Sequence, residues 1–196
     1  MSILILGLVI FLGVHSIRIV ADDWRTVQRA RMGAMAWKGA YSLLSLLGFV
    51  LIVWGFGIAR ADPVVLWTPP VFMRHIASLL LLVAFVLLAA AYVPRNGIKA
   101  RLHHPMMIAV KLWAFAHLLT NGRLASVVLS CSFLAWAVLA FRAARQRDAR
   151  DATVYPPGTT TATLVTVVLG AIAWAVFAFW LHRLLIGVAP FGALRA

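Results

Sequence analysis

Six long apolar stretches, separated by short basic or proline-rich segments, set the pattern of this chain. They are Ser2–Val20, Lys38–Ala59, Val71–Val93, Pro105–Thr120, Leu124–Phe141 and Thr160–Val188. A helix needs about 20 mainly apolar residues to cross a bilayer. The pattern therefore predicts an all-α polytopic membrane bundle of about six transmembrane helices. The connecting segments are too short to hold a soluble module, so residues 1–196 read as a single transmembrane domain. The fourth stretch is the most clearly punctuated. Pro105 suits the first position of a helix, where its missing N–H costs nothing. Asn121-Gly122 predicts a left-handed stop at the other end.

Composition strengthens this reading. Hydrophobic residues make up 64% of the chain and mean hydropathy is +0.97. No soluble domain of this size hides so much apolar surface, so the surrounding solvent is a lipid bilayer. The net charge of +13 resembles a nucleic-acid signal until its placement is read. Of the 18 basic residues, 12 fall in the segments joining spans one to two, three to four and five to six. The other side holds Arg60, Arg74, Arg123 and Arg195, while Lys111 and Arg183 lie inside spans. The bias of basic residues toward the cytoplasm then predicts that these segments are cytoplasmic and that both termini lie on the outer side. Basic loops against anionic headgroups account for the charge, and nucleic acid is not required. The first span has no basic residue before it and no clear small-residue cleavage site, so it reads as retained.

Candidate chemistry is narrowed by what the chain lacks. There is no glutamate, and the aspartates Asp22, Asp23, Asp62, Asp148 and Asp151 all fall in predicted loops. That excludes paired-carboxylate chemistry and a di-iron carboxylate site within the membrane. Cys131 is alone, so there is no intramolecular disulfide and no cysteine metal box. Walker, Rossmann and Ser-His-Asp patterns are absent.

The histidines remain. Trp113, His117 and Asn121 are spaced i, i+4, i+8 and share one face of the fourth span. A histidine inside a membrane needs a partner or a ligand. Haem iron takes two axial imidazoles, and a bundle can clamp a haem between helices. His15 and His117 are the central candidates as ligands, with His75 and His182 nearer the outer face. His75 reads either as an interfacial residue or as part of a polar site, and His182 is equally open. Adjacent His103 and His104 point different ways and read as a headgroup-level pair. The segment Asp22–Trp37 reads either as an interfacial helix or as a solvated loop. Gly48, Gly55 and Gly57 are small enough for close helix approach. The segment Arg142–Thr159 reads as a mobile loop.

Several motifs resemble one family. The run His104-Pro105-Met106, Lys111-Leu112-Trp113-Ala114-Phe115-Ala116-His117 and Asn121-Gly122 is similar to the signature of the NnrU family of bacterial membrane proteins. So are His15-Ser16 with Arg18, Trp24-Arg25, Trp37-Lys38-Gly39-Ala40-Tyr41, Trp67-Thr68-Pro69-Pro70 with Arg74-His75, and Tyr92-Val93-Pro94. The resemblance runs through about Asp148 and weakens after it. It implies a role in denitrification, tied to nitrite and nitric oxide reductase expression or activity, with nitrogen-oxide respiratory components as partners. The family is related to 15-cis-ζ-carotene isomerase, a haem b membrane enzyme. The ligating histidines of that relative match His15 and His117, which implies a haem b site; Trp113 and Asn121, on the His117 face, and His75 are the further cofactor-binding candidates that the residues themselves offer. Two departures matter. Ala114 stands where the relative has a cysteine, which removes any thiolate ligand switch, and Arg123 stands where an acid is expected.

Geometry raises one objection. Counted inward from the basic side, His15 is about 5 residues deep and His117 about 12, an offset of about 10 Å at 1.5 Å per residue. His75 or His182 are the substitute partners. Two other readings compete. One is a membrane-embedded enzyme, resembling the carotenoid isomerase or isoprenylcysteine methyltransferases; the latter requires a pocket near His103 and His104. The other is a cofactor-free transporter of small solutes, for which the spans offer few polar residues.

Overall fold

The structure, a computed structural model, describes residues 1–191. Arg195, counted above on the less basic side, lies outside the described residues. The described chain is helical nearly throughout: α1 (Ser2–Val20), α2 (Asp22–Met32), α3 (Ala34–Ala61), α4 (Met73–Tyr92), α5 (Gly97–Leu102), α6 (Pro105–Thr120), α7 (Leu124–Arg150) and α8 (Thr160–Val176). A π-helical turn, Phe177–Leu181, carries α8 into α9 (His182–Ile186).

Among the described residues, five helices are long and apolar enough to cross a membrane: α1, α3, α4, α7 and the continuous run Thr160–Ile186. The expected span at Pro105–Thr120 forms as α6, but with 16 residues it is only about 24 Å long. That is short of a hydrocarbon core of about 30 Å. α6 packs between α4 and α7, so its neighbours cover it.

The helices follow the packing order α3, α1, α7, α6, α4, α8. Without a hydrophobic effect between helices in lipid, close backbone approach is what holds such a bundle. Small residues supply it here. Ala84, Ala90, Ala109, Ala114, Ala116, Ala125 and Ala137 are all buried, while much of the leucine and valine faces outward. Between α1 and α3 the approach depends on glycine. A Cβ on Gly48 would stand 2.7 Å from the Phe11 nitrogen, and one on Gly55 would run into the Leu4 nitrogen. Gly57, expected to act with them, faces open space instead.

The arginine-rich end is built more tightly than its loop-like sequence suggests. Asp22–Met32 is a helix, and α3 starts as soon as Gly33 (φ +80°) turns the chain. α7 runs nine residues past Phe141, so Asp148 lies on a helix rather than in a loop. Asp22 and Asp23 likewise form the first turn of α2. Nothing in this environment breaks α7: after Phe141 it carries alanines, arginines and Gln146, all good helix formers. The segment that follows is tied down. Thr159 N–H donates to the Arg95 carbonyl (2.8 Å) and Gly97 N–H to Thr163 Oγ1 (2.8 Å). Asn96 is the knot. It is 1% exposed, donates to the Ala90 and Val93 carbonyls (2.9 and 2.6 Å), and accepts from Lys99 N–H (2.7 Å) as the cap of α5.

Candidate functional site

His15 sits on α1 and His117 on α6, each with one ring nitrogen already committed. His15 Nδ1 lies 2.6 Å from the Phe11 carbonyl, and His117 Nδ1 lies 2.8 Å from the Trp113 carbonyl. Both carbonyls are four residues back, on the same helix face. A carbonyl only accepts, so Nδ1 must be the donor, and in a neutral imidazole Nε2 then carries the lone pair. This is the tautomer a metal-ligating histidine adopts, with its second nitrogen fixed by a hydrogen bond. Among the described residues neither histidine has a carboxylate partner within 4.0 Å.

Aromatic rings flank His15 on several sides and His117 on one. The His15 ring stacks on Phe11 (4.2 Å between centroids) and meets Tyr41 (5.3 Å) and Trp136 (6.0 Å) edge-on. Trp113 lies 4.8 Å from His117, as the i, i+4 spacing predicts. Phe133 of α7 touches both groups, 5.8 Å from Phe11 and 5.5 Å from Trp113. His15 and His117 are thus the ends of a file of rings running Phe11, Phe133, Trp113.

Of the other sequence candidates, His182 lies near enough to His117 for their charges to interact, while among the described residues no hydrogen bond or ring contact joins Asn121 or His75 to either histidine. Asn121 caps α6 in an extended conformation (φ −135°, ψ 107°), not the expected left-handed one, and its side chain donates to Thr120 Oγ1 (3.3 Å). The cause is tertiary. The Gly122 carbonyl accepts from Leu66 N–H (2.7 Å), and Leu124 N–H donates to the Val64 carbonyl (2.9 Å), drawing the chain into a short antiparallel bridge. His75 is exposed in the first turn of α4. His182 Nδ1–H donates to the Val188 carbonyl (2.7 Å).

A second constellation forms at the arginine-rich end. His104 Nε2–H donates to Asp148 Oδ2 (2.8 Å), and the Tyr155 hydroxyl donates to the same oxygen (3.0 Å). His103 stacks flat on Tyr155, with centroids 4.1 Å apart and planes 7° apart, while Arg145 donates to its Nδ1. The headgroup-level pair of the sequence reading is therefore half-buried and networked. His103 adopts a positive φ (φ +64°, ψ −51°) in a tight turn closed by His104 N–H to the Leu102 carbonyl (2.7 Å), an uncommon state for a residue with a side chain. Burial, together with the Asp148 carboxylate, pushes the Tyr155 phenol above its ordinary pKa. Asp148 and Tyr155 escaped the sequence reading because the acid was placed in a loop. Its isolation as one carboxylate among the arginines of Arg142–Arg150 was the available signal.

The two constellations share a cavity of about 400 Å³. His15, Met107 and Trp136 line it from the spans; His104, Asp148 and Tyr155 line it from the arginine-rich end. Trp136 Nε1 is buried without an acceptor, alone in this among the described residues. Each such atom calls for an explanation. Among the described residues no three His, Cys, Asp or Glu side chains gather around a point where a bare ion would sit. One anchored histidine, His15, lines the cavity with its Nε2 uncommitted, whereas Nε2–H of His104 is taken by Asp148. His104 is the other histidine in its lining; His117 lies outside it.

A family model described as NnrU protein matches residues 3–190. No curated protein and no solved structure matches the chain.

Proposed function

The chain belongs to the NnrU family, and from that premise we propose that it is a haem-b-binding membrane protein serving denitrification. In this reading it supports the expression or activity of nitrite and nitric oxide reductases from the bacterial inner membrane. The arginine-rich end faces the cytoplasm and both termini face the periplasm, the orientation favoured by the distribution of basic residues. The observation that carries the haem reading is the matched anchoring of His15 and His117. Each has Nδ1 held by the carbonyl four residues back and Nε2 left with its lone pair. A bound haem would supply one-electron and small-gas chemistry that the side chains lack. The protein fixes ring orientation through the Phe11 and Trp113 carbonyls, and the rings of Tyr41 and Trp136 meet the His15 ring edge-on.

The test is the visible spectrum of detergent-purified protein from haem-replete cells, oxidised and reduced. A Soret band with sharp reduced α and β bands is expected, lost in His15→Ala and in His117→Ala. A colourless wild-type protein overturns the haem reading. A band that survives both substitutions removes these ligands.

A second reading, a membrane-embedded enzyme, gains one specific observation. It required a pocket near His103 and His104, and His104 lines the 400 Å³ cavity. There His104 pairs with Asp148, as a general base is held by an orienting acid. A colourless protein would direct attention to this arrangement.

A further inference from the structure

At the arginine-rich end three guanidinium groups share one carboxylate. Asp22 Oδ1 lies 3.7 Å from Arg18 Nε and 3.8 Å from an Arg25 terminal nitrogen, and Asp22 Oδ2 lies 4.0 Å from Arg147 Nε. These separations are too long for good hydrogen bonds. Each guanidinium carries five donors. Arg147 uses one of them on the Arg18 carbonyl (3.0 Å). Among the described residues, Arg18 and Arg147 meet no carboxylate other than Asp22 within 4.0 Å. The group is left with surplus positive charge and surplus donors.

Two of these arginines, Arg18 and Arg147, line the cavity. The acids that also line it are engaged elsewhere: Asp148 accepts from His104 and Tyr155, and Asp151 from Arg150 (2.9 Å). Arg147 and Trp136 are eleven residues apart on α7, about 16 Å along the axis. Between them the α7 wall contributes Ala140 and Ala144, and α6 contributes Met107. One end of the cavity thus presents guanidinium donors, and an apolar strip of Ile19, Met107, Trp136, Ala140 and Ala144 runs from it along one wall into the spanning part of the bundle. That pairing of a cationic end with an apolar strip favours a ligand with an anionic head and an apolar body. Arginine is suited to planar or tetrahedral oxyanions through paired N–H donors.

We propose that this cavity binds a single-chain anionic amphiphile, its carboxylate or phosphate on Arg18 and Arg147 and its chain over Met107 and Trp136. The ligand enters from the leaflet at the arginine-rich end, where its head stays at headgroup depth.

Haem-free protein in an uncharged detergent is titrated with oleate, oleoyl lysophosphatidate, oleyl alcohol and inorganic phosphate, with bound mass read by native mass spectrometry. Working on haem-free protein separates this result from the haem proposal, since a chain that never takes haem still reports on the arginines. One oleate or one lysophosphatidate per chain is expected, at least about tenfold tighter than the alcohol. The tighter of the two identifies the source as a fatty carboxylate or a lipid phosphate. Arg18→Gln and Arg147→Gln each weaken binding about tenfold, and Arg142→Gln, exposed on α7 and outside the cavity, leaves it unchanged. Alcohol binding as tight as oleate overturns the proposal, as does phosphate alone binding as tightly, or unchanged affinity in both cavity variants. Because Arg147 also braces α1, two further measurements stand apart from these substitutions. Met107→Trp fills the chain-binding part while keeping both arginines, and is expected to weaken oleate. A diazirine-bearing palmitate on wild-type protein is expected to label α1, α6 or α7 residues of the cavity. Labelling confined to α3 or α8 overturns the assignment.

Discussion

The position of His15 depends on a glycine in the neighbouring helix, and Gly48→Ala tests that dependence. The added methyl would stand 2.7 Å from the Phe11 nitrogen and 2.9 Å from its Cα, where ordinary contact begins at 3.4 Å. α1 and α3 must therefore separate locally by about 0.7 Å, the gap between 2.7 and 3.4 Å. Backbone cannot swing aside as a side chain can. Overpacking of this kind costs about 1–3 kcal/mol. Alanine also gains about 0.8–1.0 kcal/mol over glycine in a helix interior, so the net loss is about 0–2 kcal/mol. Gly57→Ala is the control, because its methyl meets nothing within 4 Å on the same helix. It keeps the helix gain and adds no clash. The propensity contribution cancels between the two variants, leaving the packing cost of about 1–3 kcal/mol as their difference. Thermal unfolding in detergent, followed by circular dichroism, measures it. Gly57→Ala should melt at or above wild type and Gly48→Ala below Gly57→Ala. If Gly48→Ala matches or exceeds Gly57→Ala, the close α1–α3 approach is wrong. The site would feel the same shift, since Phe11 both stacks on His15 and holds its Nδ1.

Two further outcomes follow from the arginine-rich end. Asn96→Ala removes the cap on α5 and two bonds to the end of α4, and should cost about 2–3 kcal/mol; a loss below about 0.5 kcal/mol in the same melting assay would contradict its role. Tyr155, whose phenol is raised by burial and then by Asp148, should ionise above the ordinary value of about 10. The sign is that of a raised folded-state pKa: the stabilisation is fully present below about pH 10 and is lost as pH rises through the higher folded value. Phenolate absorbance of wild type minus Tyr155→Phe isolates this group, and Asp148→Asn should lower its titration point. An unmoved titration in Asp148→Asn would break the link between them.

Hydropathy alone determined the helical membrane fold, because a spanning segment must satisfy its backbone internally and bury its side chains in lipid. The Pro105 start of α6 and the glycines at 48 and 55 were legible for similarly local reasons. So was the pairing of Trp113 with His117, since both sit on one helix. What the sequence could not decide is how helices distant in the chain meet. The left-handed stop expected at Asn121-Gly122 gave way to an extended bridge, because partners at Val64, Leu66 and Trp67 claimed the backbone. The continuation of α7 past Phe141 carried Asp148 to His104, a contact across 44 residues that no local pattern records. The same geometry set His15 in one cavity with His104, Arg18 and Arg147, and left His117 at the far end of a file of rings. Local periodicity fixes which face of a helix a residue occupies; only packing decides what that face meets.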